Sequence, residues 1–334
     1  MKVLVTGSTS LLGGAVAARL QARGDDVTVF QRRASGLGAR ELLGDVADRH
    51  AVDAAVAGAD VVIHAAAKVA VVGPWAQYQE TNITGTVNVL DAARAANVER
   101  FVYISSPSVA HSGAALVGVP AGAADPYRAR GNYSRSKARA EQLALAASGA
   151  AFSVVAIRPH LVWGPGDTQL IGRIVTRARQ GRLAIVGSGA ALVDTTYIDN
   201  AADAIVAAAD QAGALGGRAF VVSNGQPRPV RELFDAIAAA AGFAPPRLRV
   251  PARVARAAGT VLERVWARLD RADDPPITSF LAEQLSTAHW FDQRATQRAL
   301  GWRPSVGLDE GFARLTAWFA REGTSGPDRK LSHG

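Results

Sequence analysis

Short apolar runs alternate with longer segments of helical periodicity along the first half of the chain. The runs lack apolar–polar alternation, which is typical of parallel strands buried on both faces. They predict strands over 2–6, 27–30, a segment just before Gly44, 61–64, 101–104 and 152–157. Apolar residues spaced three and four apart predict helices over 15–20, 48–57, 78–96 and a segment that contains Tyr133 and ends near 147. This order favours an α/β fold with a Rossmann-type, doubly wound parallel sheet.

A glycine-rich turn joins the first predicted strand to the first predicted helix, which Gly24 can close. Such a turn presents backbone N–H groups and a helix N-terminus to a pyrophosphate. Gly7 permits the tight turn, and Gly13 permits a close approach of the backbone. The strand–turn–helix–strand context predicts a dinucleotide site formed by Gly7, Ser8, Thr9, Ser10, Leu11, Leu12 and Gly13.

The end of the second predicted strand bears on the choice of cofactor. An acidic residue there would bind the ribose 2′-hydroxyl of NAD, but the sequence reads Gln31, Arg32, Arg33. Arginine side chains suit the 2′-phosphate of NADP through charge-assisted hydrogen bonds. The sequence therefore favours NADP. The alternatives are NAD, and two arginines that are ordinary surface residues.

Three alanines, Ala65, Ala66 and Ala67, follow the predicted strand over 61–64. Small residues at the carboxyl end of a parallel strand leave room for a flat ligand, and open α/β sheets bind ligands at that edge. We therefore expect these alanines to line the cofactor.

Tyr133 and Lys137 are the candidate acid–base pair. They are four residues apart, so in a helix both side chains lie on one face, one turn apart. The pKa of a free tyrosine is about 10, and a nearby ammonium favours the phenolate and lowers that pKa. The pair would then exchange a proton near neutral pH. On its own, the spacing is also compatible with a coincidence on a solvated helix.

The second half of the chain predicts a smaller unit. Helices are expected over 168–180 and, with Asp199–Asn200 as the cap, through about 211, and a strand over 218–222 returns to the sheet. We predict a dinucleotide-binding domain over 1–165, a mainly helical substrate-binding region over 166–322, and a polar, disordered tail over 323–334.

Residues 251–270 predict a basic amphipathic helix. Apolar residues recur at helical spacing, and Arg253, Arg256, Arg264 and Arg268 fill much of the other face. Such a helix can lie on an anionic membrane surface, cover an apolar substrate, or contact a partner subunit in a homodimer. It can equally pack on the core with a solvated face.

Composition narrows the class of protein. The chain has 334 residues, a net charge of +8 and no cysteine, so a disulfide framework and thiolate metal sites are excluded. Its six histidines show no metal-ligand spacing, and no metal site is predicted. Without an apolar run of about 20 residues or a signal-peptide layout, a cytoplasmic protein is favoured, with membrane association left open. The arginines are dispersed, so no nucleic-acid partner is predicted.

In their order along the chain, these residues resemble the extended short-chain dehydrogenases/reductases of the NAD-dependent epimerase/dehydratase superfamily. The shared motifs are Thr6-Gly7…Gly13, Asp45-Val46, His64-Ala65-Ala66, Asn82-Ile83-Thr84-Gly85-Thr86, Ser105-Ser106, Tyr133…Lys137 and Arg158-Pro159…Gly164-Pro165-Gly166. Further motifs are similar to the 3β-hydroxysteroid dehydrogenase-like group, which includes sterol dehydrogenases and bacterial reductases of 2-alkyl-3-oxoalkanoic acids. They include Ser106-Pro107-Ser108-Val109, His160-Leu161-Val162-Trp163, Tyr197-Ile198-Asp199-Asn200 and Trp290-Phe291-Asp292.

The resemblance implies a set of catalytic roles. Tyr133 would be the general acid or base, and Lys137 would lower its pKa and hydrogen-bond the nicotinamide ribose. Ser106 would stabilise the substrate oxygen, although Ser105 or Ser108 could take this role.

The resemblance also implies cofactor contacts. Asp45 and Val46 should flank the adenine, and Asn82 should lie beside the cofactor while holding the central helix and strand together. Pro159 and His160 should lie beside the carboxamide, with His160 as a catalytic base the alternative. The family usually has glycine where Ser10 stands, and the added Cβ puts cofactor affinity in question.

These observations predict an NADP(H)-dependent oxidoreductase (EC 1.1.1.-) of lipid metabolism that interconverts a ketone and a secondary alcohol. Its substrate would be bulky and apolar, either sterol-like or a long-chain 2-alkyl-3-oxo acid. One alternative is a nucleotide-sugar epimerase with tightly bound NAD. Another is a non-catalytic NADP-binding sensor, which the presence of both Tyr133 and Lys137 disfavours.

Overall fold

The computed structural model describes residues 1–70, 73–111, 113–269 and 275–323. The strands are β1 (Lys2–Thr6), β2 (Asp26–Gln31), β3 (Arg40–Leu43), β4 (Val61–His64), β5 (Arg100–Ile104), β6 (Leu116–Val119), β7 (Ser153–Pro159), β8 (Val162–Trp163), β9 (Ala184–Val186), β10 (Leu192–Val193), β11 (Thr196–Tyr197), β12 (Ala219–Val222), β13 (Arg228–Pro229), β14 (Leu248–Val250) and β15 (His289–Phe291).

The helices are α1 (Leu11–Arg23), α2 (Arg49–Val56), α3 (Trp75–Tyr78), α4 (Gly85–Ala95), α5 (Gly131–Ala146), α6 (Ile171–Arg179), α7 (Ile198–Leu215), α8 (Val230–Ala240), α9 (Ala252–Arg268), α10 (Ser279–Gln284), α11 (Arg294–Leu300) and α12 (Leu308–Gly323). A π-helical segment, Gln79–Thr84, joins α3 to α4, and a 3₁₀ helix covers Pro107–Ala110. The tail predicted to be disordered lies outside the described residues, apart from Gly323 at the end of α12.

Seven parallel strands form the central sheet, in the order β12-β7-β5-β4-β1-β2-β3. The chain order reverses at β1, where Val3 pairs with Val27 of β2 on one side and Val61 of β4 on the other. Ligands of doubly wound sheets bind at this reversal, outside the carboxyl ends of the strands. The predicted Rossmann-type sheet is confirmed, including the late strand near 218–222, which pairs with β7 as β12.

Helices cover both faces of the central sheet. Val3 and Val5 of β1 belong to a core covered by α1 and α7, and Leu4 belongs to a second core covered by α2, α4 and α5. Because neighbouring strand residues are buried on opposite faces, the central strands read as continuous apolar runs.

A smaller sheet lies on the substrate side, with the strand order β13-β10-β15-β6. The region after residue 165 is mostly helical, as predicted, but the sequence does not predict this smaller sheet, because its strands of two to four residues are too short to give a periodic signal. An apolar cluster that includes residues of α6, α8 and α12 provides a third core. The domain division at residue 165 stays a prediction. The two layers exchange segments across it: α7 and β12 lie on the central sheet, and β6 lies in the smaller one.

Asn200 does not cap a helix, contrary to the sequence-based expectation. Helix α7 begins at Ile198 and runs to Leu215, and Asn200 is buried within it. The Asn200 amide nitrogen donates to the Asn224 side chain at 2.9 Å and to the Val306 carbonyl at 2.7 Å. The asparagine thus ties α7 to the segment that leads into α12.

Within the described part of the chain, no helix is long and apolar enough to cross a membrane. The same residues contain no cluster of three or more histidine, aspartate or glutamate side chains placed to hold a metal ion.

Candidate active site

Tyr133 and Lys137 lie one turn apart on α5, and Ser106 follows β5. Ser106 and Tyr133 line the same cavity, and the Ser106 hydroxyl is 3.0 Å from the Ser108 hydroxyl. The Lys137 ammonium donates to the Ile104 carbonyl at 2.5 Å and lies 4.1 Å from the centre of the Tyr103 ring. The helix and the strand end thus bring together the three predicted catalytic residues.

Burial controls the protonation of this pair. It raises the pKa of Tyr133 to about 12, opposed by the hydrogen bond with Ser106. It lowers the pKa of Lys137 to about 7, opposed by the negative charge of Glu141. The sequence predicts a lowered tyrosine pKa, and the pKa of Tyr133 is raised instead because desolvation of the phenolate outweighs the effect of Ser106.

A buried ion pair lies behind Lys137. Arg158 contacts both carboxylate oxygens of Glu141, at 2.5 and 2.8 Å, and donates to the Gly122 carbonyl at 2.7 Å. Both side chains are 1% exposed. Fork-like contacts of this kind fix both partners, so the pair holds α5 against β7.

The three candidate serines have different surroundings. Ser106 and Ser108 line the same cavity as Tyr133, whereas the Ser105 hydroxyl is buried without a hydrogen-bond partner among the described residues. Ser106 is also the serine that opposes the rise in the pKa of Tyr133, which favours it for the substrate oxygen.

The glycine-rich turn has little room for side chains. Gly7 has φ +78°, and a Cβ on it would lie 2.7 Å from the Ala66 backbone. A Cβ on Gly13 would lie 2.4 Å from the Gly7 carbonyl oxygen, so Gly13 lets α1 pack on the turn. Ser8 is buried and Thr9 is exposed, while Leu11 and Leu12 begin α1 and place their N–H groups at its N-terminus.

Ser10 caps α1. Its hydroxyl donates to the Gly7 carbonyl at 2.8 Å and accepts from the Gly13 N–H at 3.1 Å. The hydroxyl therefore stabilises the turn itself, a role that the sequence comparison with the usual glycine does not reveal.

The predicted 2′-phosphate residues lie at the end of β2. Gln31 is buried and its amide donates to Glu41 at 2.6 Å, and Glu41 also accepts from the Ser35 backbone at 2.6 Å. The Arg32 side chain is 71% exposed and lies 3.8 Å from the Asp45 carboxylate. Arg33 is exposed as well. Both arginines are accessible to an anionic group, with the Glu41 carboxylate nearby.

The residues predicted beside the adenine follow β3. The Asp45 carboxylate accepts from the Ala47 N–H at 2.9 Å, and Val46 is buried against Gly85 of α4. This packing places the Asp45–Val46 backbone at the carboxyl edge of the sheet.

The three predicted alanines follow β4, and Ala65, Ala66 and Ala67 are all half-buried. A hydrogen-bond chain fixes them: the Ala66 N–H donates to the Thr6 hydroxyl, which donates to Nδ1 of His64. Nε2 of His64 then donates to Thr86, whose hydroxyl donates to the Asn82 carbonyl. Burial lowers the pKa of His64 to about 3, so this histidine is neutral and structural.

Asn82 lies in the π-helical segment and is buried. Its side chain accepts from the Lys68 N–H at 2.7 Å and donates to the Ser136 hydroxyl of α5 at 2.9 Å. Asn82 thus connects the loop after β4 to the catalytic helix, as the sequence predicts. A direct contact between Asn82 and the cofactor stays a prediction.

Pro159 and His160 leave the end of β7, and both line the cavity next to Tyr133. The His160 ring contacts His289 and Phe291, with ring centres 5.0 and 5.2 Å apart. Its side chain therefore belongs to the cavity wall. Contact of Pro159 and His160 with the carboxamide stays a prediction.

The cavity measures about 280 Å³ and extends from Ser106 and Tyr133 into the smaller lobe of the molecule. Its wall is mainly apolar and includes Ile174, Leu233, Phe234, Phe280, Leu285 and Phe312. Leu161, beside His160, has φ +43°, a strained conformation for a non-glycine residue. The shape and the lining of the cavity suit a hydrophobic ligand.

Sequence reasoning missed several wall residues, including His111, Gln284 and His289. His289 precedes the Trp290-Phe291-Asp292 motif, but isolated histidines carry no positional signal. Only the folding of β15 beside β10 brings His289 to the cavity.

The carboxyl edge fits a dinucleotide. Helix α1 begins at the turn where the strand order reverses, and the half-buried alanines after β4 leave a flat surface beside it. The turn, the alanines and the catalytic helix would therefore meet the phosphates, the ring and the ribose of a bound dinucleotide in a suitable order.

Comparisons with known proteins agree with this geometry. The model of the NAD dependent epimerase/dehydratase family matches residues 3–223. A 2-alkyl-3-oxoalkanoate reductase of Stenotrophomonas maltophilia is 42% identical over 330 residues, which cover 95% of this chain and 99% of that protein. The 4-hydroxy-2-methyl-3-oxo-4-farnesyl-3,4-dihydroquinoline-1-oxide ketoreductase of Stigmatella aurantiaca is 29% identical, covering 94% and 96% of the two chains.

Among solved structures, MoeE5 in complex with UDP-glucose and NAD matches with a TM-score of 0.73 and 26% identity. The match covers 96% of this chain and 99% of MoeE5. The two proteins therefore share one architecture over almost their whole length.

Proposed function

Because the chain belongs to the NAD dependent epimerase/dehydratase family and is an NAD(P)-dependent oxidoreductase, we propose that it reduces the ketone of a long-chain 2-alkyl-3-oxo acid. The observation that carries this proposal is the apolar cavity that begins at Ser106 and Tyr133. The likeness to the Stenotrophomonas reductase supports the same substrate class.

In this mechanism the ketone oxygen lies between Ser106 and Tyr133. Both hydroxyls donate to it, and this stabilises the negative charge that develops on the oxygen. Bound NADPH would supply the hydride to the carbonyl carbon. Tyr133 then transfers its phenolic proton to the oxygen, and its raised pKa keeps that proton in place until the charge develops. Lys137, with a pKa of about 7, is able to exchange a proton near neutral pH.

NADP is the proposed cofactor. Arg32 and Arg33 are exposed at the end of β2, where the adenosine ribose of a bound dinucleotide would lie. In this proposal Lys137 would hydrogen-bond the nicotinamide ribose, and the α1 N-terminus would bind the pyrophosphate.

The epimerase alternative fits the cavity less well. A nucleotide sugar carries many hydroxyls and a pyrophosphate, and these need polar partners when buried. The wall beyond Tyr133 is formed mainly by leucine, isoleucine, valine and phenylalanine side chains. A sterol remains the second candidate, since it too is large and apolar.

The test follows absorbance at 340 nm with NADPH and NADH in parallel, using a 2-alkyl-3-oxo acid and a 3-oxosteroid. We expect faster oxidation of NADPH, with the oxo acid preferred. Tyr133→Phe should lower kcat by about 10²–10⁴-fold, because it removes the general acid, while NADPH affinity stays nearly unchanged. A Tyr133→Phe variant with full turnover would refute the mechanism. Copurified NAD with no ketone reduction would favour an epimerase.

A further inference from the structure

Three histidines form the polar side of the substrate cavity. His111, His160 and His289 line it, and none is more than 5% exposed. A purely apolar ligand would leave three of their nitrogens without hydrogen-bond partners within the described chain, namely both of His111 and Nδ1 of His160, and burying an unsatisfied polar group is costly. Buried polar groups are usually hydrogen-bonded, so three imidazoles here indicate a polar group on the ligand.

The hydrogen bonds determine the protonation of two of these rings. Nε2 of His289 lies 2.8 Å from the Gln284 carbonyl, which can only accept, so this nitrogen carries a proton. Nδ1 of a neutral His289 is then an acceptor, and Nε2 of His160, 3.1 Å away, must donate to it. This leaves a lone pair on Nδ1 of His160, which is buried and has no hydrogen-bond partner in the described part of the chain.

His160 is close to the reacting end of the cavity. Ile104 of β5 pairs with Ile157 of β7, and Ser106 and His160 follow these residues at the ends of the two strands. Neighbouring strands are about 4.8 Å apart. In a 3-oxo acid, the carboxylate carbon is two bonds from the ketone carbon. A ketone at Ser106 and Tyr133 therefore brings that carboxylate within reach of His160.

We propose that His160, held by His289, binds the carboxylate of the substrate, so that the cavity selects 3-oxo acids over neutral ketones such as sterols. The inference rests on the proposed function and names the group that its substrate must carry. Both the lone pair of Nδ1 and a carboxylate oxygen are acceptors, so together they require one proton. That proton comes from solvent and lies between the two atoms, so binding takes up one proton at neutral pH.

The carboxylates near His160 already have partners. The Asp194 carboxylate accepts from the Ser223 hydroxyl and the Gly225 N–H, and Glu283 contacts Arg130 and lies 3.3 Å from His111. Both carboxylates thus have partners of their own. Burial together with the neighbouring His289 and His111 holds the pKa of His160 well below its usual range, opposed by the Asp194 backbone, so the ring enters the complex neutral.

The first test is calorimetry on the NADPH-saturated protein. The probes are a 2-alkyl-3-hydroxy acid, which cannot decarboxylate as an oxo acid does, and its methyl ester. Titrations in two buffers of different ionisation enthalpy give the number of protons taken up. We expect one proton per acid and none per ester, with acid affinity falling about tenfold per pH unit above neutrality. Equal proton uptake and equal pH dependence for acid and ester would overturn the proposal.

The second test compares two cavity variants. His160→Gln should abolish proton uptake and weaken acid binding about tenfold, without changing ester binding. Thr195→Val, in the same wall, is the matched control and should affect acid and ester alike. Unchanged acid affinity and unchanged proton uptake in His160→Gln would overturn the proposal. If this variant does not fold, the titrations of the wild-type protein with acid and ester decide whether the proposal holds. Failure of the wild type to oxidise either probe with NADP or NAD would instead refute the proposed function.

Discussion

At the scale of single residues, burial decides how the catalytic groups behave. Desolvation raises the pKa of the Tyr133 phenol and lowers that of the Lys137 ammonium. Neither shift is visible in the Tyr-x-x-x-Lys spacing, because the spacing predicts proximity and carries no information on solvent exclusion.

These shifts predict opposite pH responses in the two reaction directions. Ketone reduction needs the phenol form of Tyr133, which a pKa of about 12 maintains throughout the range from about pH 6 to 9. Alcohol oxidation needs the phenolate, whose fraction rises about tenfold per pH unit below that pKa. Apart from a change near pH 7, where Lys137 titrates, we therefore expect a flat profile for reduction and a steep rise for oxidation, measured as kcat with saturating substrates.

The contrary result would be an oxidation rate that levels off near pH 7. Such a plateau would mean that Lys137 lowers the tyrosine pKa, as the sequence alone predicts. Tyr133→Phe serves as the control, since its residual rate should lose the steep rise.

At the scale of elements, α9 leaves an apolar stripe facing solvent. Its other side packs on α10: Ala255 is buried, and a Cβ on Gly259 would lie 2.4 Å from the Ser279 nitrogen. The exposed stripe recurs at intervals of seven, four and four residues, and consists of Val254, Val261, Val265 and Leu269, with exposures of 56, 57, 36 and 63%. Arg253, Arg264 and Arg268 lie alongside it by helical spacing.

We infer that this face contacts an anionic membrane surface, because an apolar stripe beside arginines complements lipid chains and negative headgroups. The protein should cosediment with vesicles containing phosphatidylglycerol and much less with phosphatidylcholine alone. Val261→Asp should reduce the bound fraction several-fold. Val117→Asp is the matched control, since Val117 is 56% exposed on β6. Equal cosedimentation of both variants and the wild type would contradict the inference.

Elements differ in how far the sequence predicts them. The central strands and α1 are predictable because burial on both faces and a glycine turn leave strong local signals. Strand β15 and the smaller sheet are not, because three residues such as His289–Phe291 acquire their structure only by pairing with distant segments. The residues of the site differ in the same way. Tyr133 and Ser106 can be predicted from local motifs, whereas the position of His289 depends on long-range folding.

At the scale of the whole molecule, the cofactor edge and the substrate lobe meet at the ends of β5 and β7. A ligand that binds only the folded chain stabilises it by about 2.7 kcal/mol at a hundredfold excess over Kd. We therefore expect NADPH to raise Tm by several degrees, and by more than NADH at equal concentration, because the 2′-phosphate adds charge-assisted contacts.

Two double variants test whether Arg32 and Arg33 cause the difference between the thermal shifts with NADPH and NADH. Arg32→Ala/Arg33→Ala should make the two thermal shifts nearly equal. Arg19→Ala/Arg23→Ala, which removes the same charge from α1, should preserve the difference between NADPH and NADH. A larger shift with NADH in the wild type would contradict the NADP assignment.

The path of β6 affects how such enzymes can be recombined. This strand belongs to the first half of the chain, yet Leu116 donates to the Ala288 carbonyl, and Asp292 donates back to Val119. A chimera with a single crossover near residue 165 would therefore join β6 of one parent to β15 of another, inside the wall of the cavity. Exchange of substrate specificity between relatives requires the segment around 113–125 to move together with the C-terminal half.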